Sequence, residues 1–312
     1  MKKVLVTGAS GVVGIQTIKF LLSEGKYEIT ALDLRNKNSQ KKLKKYRRRI
    51  NIIYGDINDK VLIEALVKDQ DYIIHLASVM PPIADIKKGL SDNIEYLGTE
   101  NIIKAINYYN PECFLVYASS TTIYGKTEKA TVKTESNVTE VDYYSKTKLK
   151  TEELIKKKIK NYTIIRLPLV LCNPRSGAFM YNVRKNSIVE AITDNDAAYL
   201  FASSLNYTEK LNKKIWNAGG GEQLTAPYRE ILAKVLEIYG FSWKYLLTRI
   251  FIDKNFYVGV YEDSEKLNEI IDYRSDSLSS YYMRLKRTTK NRIIARLLVK
   301  PFVFFLRGKE KW

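Results

Sequence analysis

Val4-Leu5-Val6-Thr7-Gly8-Ala9-Ser10-Gly11-Val12-Val13-Gly14 reads as a short buried strand that turns through glycines into a helix. The spacing Gly8-x-x-Gly11-x-x-Gly14 lets backbone N–H groups at a helix N-terminus approach a diphosphate, where side chains at the turn would block it. Glycines also serve ordinary turns, so the pattern gains weight only from a second signal, and Asp33 supplies one. It closes the next apolar run, nineteen residues past Gly14, where a carboxylate accepts hydrogen bonds from an adenine ribose. The expected dinucleotide contacts are Gly8, Ser10, Gly11, Val12, Val13 and Gly14 at the turn, then Asp33, Leu34 and Arg35. The Asp33 carboxylate repels a 2′-phosphate and puts NAD ahead. Arg35 and the basic run behind it leave NADP open, because such groups can hold that phosphate.

Outward from this stretch, short apolar runs alternate with helical patterns, the sequence sign of a parallel sheet wrapped by helices. Strands are expected over Lys3–Val6, Glu28–Leu32, Asn51–Tyr54, Tyr72–Leu76, Phe114–Tyr117 and Thr163–Arg166. Ile102, Ala105, Ile106 and Tyr109 repeat at i, i+3, i+4, i+7 and would face that sheet. After Pro174 the alternation fades into Gly219-Gly220-Gly221 and a helix from Pro227 to about Tyr239. The expected fold is α/β, a Rossmann-type doubly wound parallel sheet with a small C-terminal substrate lobe and a basic helical tail. The division is 1–170 for the dinucleotide domain, with 190–218 returning to it; 171–189 and 219–283 for the lobe; and 284–312 for an amphipathic tail.

The formal charge of +18 is concentrated in two places. Lys37–Arg49 holds eight basic residues and no acidic one, and Arg284–Trp312 holds ten basic residues against Glu310 alone. The rest is close to neutral. In the tail Arg292, Arg296 and Lys300 recur beside Ile293, Ile294, Leu297 and Leu298, before Pro301 and Phe302–Leu306. That pattern suits peripheral contact with an anionic membrane, and equally a helix packed on the body or on a partner subunit. The charge alone calls for no nucleic-acid partner, since no such module accompanies it. For Lys37–Arg49 a solvated helix face competes with ligand contact. Cys113 and Cys172 are too few for a disulfide framework, and with His75 as the single histidine no metal site is expected. The chain reads as cytoplasmic, with membrane association as an added expectation; no signal peptide or spanning segment is expected.

An ordered set of motifs then resembles the extended short-chain dehydrogenase/reductases, the NAD-dependent epimerase/dehydratase group, across most of residues 1–283. The set is Thr7-Gly8-x-x-Gly11-x-x-Gly14, Gly55-Asp56-Ile57, His75-Leu76-Ala77, Asn93 with Gly98-Thr99-x-Asn101, Ser119-Ser120-x-x-x-Tyr124-Gly125, Tyr144-x-x-x-Lys148-x-x-x-Glu152, Arg166-x-Pro168 and Asp194-x-Asp196-x-Ala198. The resemblance implies that Asp56 and Ile57 sit near the adenine and that Leu76, Ala77, Ser78, Asn93 and Leu167 line the cofactor groove. It places Ser119, Ser120 and Thr121 beside the nicotinamide, after the strand. It makes Ser120, Tyr144 and Lys148 catalytic, with Ser120, Thr121, Thr122 and Tyr144 toward substrate. His75 reads instead as a satisfied histidine at a strand end.

Register selects the tyrosine. Tyr144 has a lysine one helical turn later, at Lys148, whereas the same offset from Tyr143 reaches Thr147; residues i and i+4 share a face. A free phenol titrates near ~10, so Lys148 and the oxidised nicotinamide are expected to lower it until Tyr144 can take a hydroxyl proton as hydride leaves. Ser120 would hydrogen-bond the same oxygen, and Lys148 would hold the nicotinamide ribose. The expected reaction is hydride transfer at a secondary alcohol or ketone of a sugar or sugar nucleotide, by an epimerase or dehydrogenase. Ser120 is followed by Thr121 and Thr122, not by the Asp-Glu pair of a 4,6-dehydratase. Only twenty-five residues separate Pro168 from Asp194, short for the family's nucleotide grip. That shortness keeps a hydroxysteroid-type or lipid-linked substrate open, as well as a non-enzymatic redox sensor. A homodimer through two sheet-side helices is a family expectation.

Overall fold

The computed structural model describes residues 1–125, 131–173, 187–240 and 259–289. Seven strands form one parallel sheet: β1 (Lys2–Thr7), β2 (Tyr27–Asp33), β3 (Asn51–Tyr54), β4 (Tyr72–His75), β5 (Phe114–Ser120), β6 (Tyr162–Leu167) and β7 (Lys214–Asn217). Their spatial order is β7-β6-β5-β4-β1-β2-β3. The order reverses between β1 and β4, so a crevice opens there beyond the carboxyl ends of the strands, where such sheets bind ligands.

The helices that concern the site are α1 (Val12–Glu24), α2 (Lys37–Leu43), α3 (Lys60–Val67), α4 (Gly98–Tyr109), α5 (Tyr143–Lys158), α6 (Asp194–Ser203), α7 (Tyr228–Ile238), α8 (Ser264–Ile271) and α9 (Leu278–Thr288). They cover both faces of the sheet, which is why its strands read as continuous apolar runs. One face buries Val4, Val6, Ile29, Val116 and Ile165 against Ile18, Leu21, Leu200 and Phe201. The other buries Leu5, Ile73, Leu115 and Ile164 against Ile63, Ile102, Ile106 and Ile155.

Two features depart from the sequence reading. The seventh strand, Lys214-Ile215-Trp216-Asn217, is too short and too polar to stand out, and pairing with β6 from Lys214↔Thr163 to Asn217↔Arg166 defines it. In addition, Ser119 and Ser120 do not follow the fifth strand but belong to it, because β5 stays in register with β6 through Ser120↔Leu167.

Beyond the sheet's carboxyl edge, Leu171, Val189, Ala191 and Leu224 pack with the apolar side of α7 and with Tyr281 and Leu285 of α9. The residues 37–49 form α2 and a short turn whose Leu43 and Tyr46 enter the main core while most of the basic side chains lie outside. The tail expected from Arg284 begins inside α9, where Arg284 pairs with Asp276. Residues 290–312, with Arg292, Arg296 and Lys300, lie outside the described residues. Among the described residues no helix is long and apolar enough to cross a membrane, and no group of three or more His, Cys, Asp or Glu could hold a metal.

Candidate active site

The glycine turn is built as tightly as its spacing suggests. Gly8 has φ +65°, and a Cβ there would stand 2.7 Å from the Ala77 nitrogen. A Cβ on Gly14 would stand 2.4 Å from the Gly8 carbonyl oxygen. The start of α1 carries no side-chain cap hydrogen bond and no acidic residue in its first turn, so its positive end suits an anion. Asp33 braces the turn from β2: its carboxylate accepts from the Ser10 N–H at 2.7 Å and the Leu34 N–H at 2.8 Å. Leu34 is exposed, and the Arg35 guanidinium lies 5.3 Å from the Tyr54 ring centre. Lys42 folds back onto the Ser10 carbonyl. This cradle, which added Cβ atoms would fill, fits a dinucleotide diphosphate.

Asp56 is exposed and Ile57 buried in the loop after β3, with Asn101 donating to the Ile57 carbonyl at 3.3 Å. Leu76 and Ala77 follow β4 directly and are half-buried. His75 is buried, its Nδ1 2.6 Å from Thr7 Oγ1 and its Nε2 2.9 Å from Thr99 Oγ1. Burial takes its pKa down to about 4. An imidazole held neutral between two hydroxyls is a structural ligand of the turn.

Helix α5 presents the tyrosine and lysine. Asp142 and Ser145 form a reciprocal cap, the Asp142 carboxylate accepting from the Ser145 N–H at 2.6 Å, and this fixes where the helix starts and so its phase. Tyr144, Lys148, Thr151, Glu152 and Ile155 then share the buried face. Tyr143 turns the other way and donates to Asp92. The Tyr144 phenol is buried, 3.8 Å from Met80 Sδ, and Ser120 and Ser78 each act to lower its pKa. Lys148 Nζ lies 5.8 Å from the Tyr144 ring centre and donates to the Ala118 carbonyl at 2.7 Å. Thr122 donates from Oγ1 to Ser120 Oγ at 3.0 Å, while Thr121 Oγ1 accepts from Tyr261 at 2.9 Å. Leu167 ends β6 beside Ser120.

One carboxylate joins the groups that the sequence reading named. In the unloaded site burial raises the pKa of the Tyr144 phenol above its ordinary value; the Lys148 ammonium lowers it in the expected direction, and a carboxylate adds to the rise. That carboxylate is Glu95, absent from the sequence reading. Asn93 is exposed in the wide π-type turn Asp92–Leu97. Glu95, two residues on, points inward instead: Oε1 lies 2.7 Å from Lys148 Nζ and accepts from the Tyr117 hydroxyl at 2.5 Å, and Oε2 accepts from Ser78 Oγ at 2.6 Å. A signal was present in the sequence, since Glu95, Thr99, Ile102 and Ile106 fall on one helical stripe and a carboxylate there must be buried.

Known proteins resemble this chain in sequence and in fold. A model described as the NAD dependent epimerase/dehydratase family matches residues 4–195. The chain is 28% identical over 187 residues to a dTDP-glucose 4,6-dehydratase of Mycolicibacterium smegmatis, covering 57% of this chain and 55% of that protein. It is 28% identical over 165 residues to UDP-glucose 4-epimerase 2 of Arabidopsis thaliana, covering 49% and 46%. The chain thus spans about half the length of these curated relatives. Among solved structures, a UDP-glucuronic acid 4-epimerase from Bacillus cereus in complex with UDP-glucuronic acid and NAD superposes with a TM-score of 0.73 over 91% of this chain and 99% of the other, at 20% identity, a likeness of fold.

Proposed function

Because the chain belongs to the NAD-dependent epimerase/dehydratase family, we propose that it is an NAD-dependent enzyme that moves a hydride at a secondary alcohol or ketone of a sugar or sugar nucleotide, as an epimerase or dehydrogenase. One observation carries the reading: Tyr144 and Lys148 share the buried face of α5, with the Lys148 ammonium 5.8 Å from the Tyr144 ring centre and Ser120 at the carboxyl end of β5. When bound, the nicotinamide dinucleotide supplies the hydride acceptor and donor. The turn Gly8–Gly14 would hold its diphosphate and Asp33 its adenine ribose. Asp56 and Ile57 would meet the adenine, Leu76 to Ser78 the groove, and Ser119 and Leu167 the nicotinamide end.

Tyr144 acts as the proton acceptor for the substrate hydroxyl and returns the proton in the reverse step. Ser120 donates to the same oxygen and fixes its distance from the phenol. Lys148 favours the phenolate electrostatically and would hold the nicotinamide ribose. NAD stands ahead of NADP because the Asp33 carboxylate occupies the second strand's end, although Arg35 and Lys42 lie close by. Thr121 and Thr122, committed to Tyr261 and Ser120, supply no acid and base for an elimination, which favours epimerisation or dehydrogenation.

The test is turnover of purified protein on a panel of sugar nucleotides and hydroxysteroids, read as reduced-nicotinamide absorbance and as product stereochemistry. Tyr144→Phe is expected to bind NAD with near-parental affinity and to lose activity by several orders of magnitude. Near-normal turnover would remove the catalytic assignment, and NAD binding without turnover on any panel member would favour a sensor. Two partner readings belong to the same proposal. Peripheral membrane contact through residues 284–312 rests on their charge pattern, and a protein that never floats with anionic vesicles would sink it. A homodimer is read out by sedimentation.

A further inference from the structure

The Glu95 carboxylate is buried, with its side chain 1% exposed, and the Lys148 partner is 3% exposed. Taking both charges out of water is costly unless each is fully engaged. Here the engagement is directional. Glu95 receives Lys148 and Tyr117 on one oxygen and Ser78 on the other. One helical turn on, Thr99 Oγ1 donates to the Glu95 carbonyl at 2.5 Å and supports the turn bearing the carboxylate. Of the three N–H bonds of the Lys148 ammonium, described residues take two, Glu95 and Ala118, leaving one for a ligand.

We propose that Glu95 is a positioning residue of the hydride-transfer site, clamping the Lys148 ammonium and the Ser78 hydroxyl with one carboxylate and so fixing both the direction of Lys148 and the net charge beside Tyr144. The proposal rests on the Tyr144/Lys148 reading above. A lone ammonium would pull the phenol toward ionisation; an ammonium already matched by a carboxylate does so far less. The raised proton affinity of the unloaded phenol, to which Glu95 contributes, agrees with this. Tyr144 therefore waits protonated in the unloaded site, and an oxidised nicotinamide bound there would add positive charge that favours its ionisation.

Few titratable groups surround Glu95 and Tyr144, and Asp85, whose carboxylate accepts from the Tyr144 backbone N–H at 3.2 Å, is the other acid next to that residue. Helix α5 contributes Lys148 and Tyr144, β5 contributes Tyr117, and β4 contributes His75, which stays neutral above about pH 4. Glu152, one turn past Lys148, has its charge taken by Arg166, and Asp92 on the same turn as Glu95 is engaged by Tyr143.

Glu95→Gln keeps the shape and removes the charge. The readout is the tyrosinate absorbance that disappears when Tyr144→Phe is added in the same background, followed through an alkaline titration without and with NAD. The midpoint for Tyr144 is expected to fall by about one pH unit or more in Glu95→Gln, with the matching limb of the pH–rate profile moving the same way. An unmoved midpoint would overturn the proposal whatever the activity. Should Glu95→Gln fail to fold, Tyr117→Phe decides: it strips a donor from the carboxylate, leaves more negative charge facing Tyr144, and should raise the midpoint, so a fixed midpoint there also overturns it. Turnover retained by Tyr144→Phe would instead defeat the functional reading and leave the titration result standing.

Discussion

Glu152 and Arg166 meet through two parallel hydrogen bonds in the interior, Nε to Oε1 at 3.0 Å and Nη2 to Oε2 at 2.8 Å, with both side chains at most 5% exposed. Ser119 Oγ adds a third donor, to Oε1 at 2.5 Å, and Arg166 Nη1 reaches the Tyr124 hydroxyl at 2.8 Å. The cluster ties α5 to β5 and β6 one helical turn beyond Lys148, so it fixes the rotation that aims Tyr144 and Lys148 at the sheet's edge.

Removing either half of this pair strands the other charge in the core. Glu152→Gln and Arg166→Met are each expected to cost about 3–5 kcal/mol of stability. The joint replacement by two apolar residues should cost clearly less than the sum. Urea unfolding of the three variants checks this, and single-variant losses below about 1 kcal/mol would contradict it.

The parts of the site were not equally legible in the sequence. The β1 turn and Asp33 announce themselves because glycine spacing and a strand-ending carboxylate are local facts. Tyr144 and Lys148 are legible for the same reason, as both lie on one helix. Glu95 sits fifty-three residues from Lys148, and its role exists only once α5 and the turn before α4 are packed together. Strand β7 is hidden likewise, since its four residues gain strand character from β6 rather than from their own pattern.

The glycine turn gives a contrast between two substitutions of the same kind. An added methyl at Gly14 would stand 2.4 Å from the Gly8 carbonyl oxygen, an atom of the turn itself. Gly14→Ala is therefore expected to cost about 1–3 kcal/mol and to weaken NAD binding, because the turn must open to admit the methyl. Gly89, in the short helix Lys88–Ser91, has nothing within 4 Å of its added Cβ, so Gly89→Ala should be neutral or slightly stabilising. Thermal unfolding and NAD titration of both variants test the contrast, and equal behaviour of the two would defeat the steric argument.

His75 makes stability depend on pH in a defined direction. Burial lowers its pKa from 6.5 to about 4, with the Lys148 charge acting the same way and Glu95 opposing. The folded state thus keeps the imidazole neutral where the unfolded chain would protonate it. Above pH 6.5 neither state takes up the proton and the residue adds no pH dependence. As the pH falls from 6.5 to about 4 the unfolded state alone gains a proton, so stability drops across that window and this contribution levels off below it. The full loss is of order 3 kcal/mol. His75→Asn has no such group, so the difference in unfolding free energy between parent and variant should shrink or reverse by that amount between a pH above 6.5 and one near 4. Since His75 is the chain's single histidine, its ring proton resonances report the folded-state titration directly. A midpoint near 6.5 in the folded protein, or parallel pH profiles for parent and variant, would show that the imidazole is not sealed between Thr7 and Thr99.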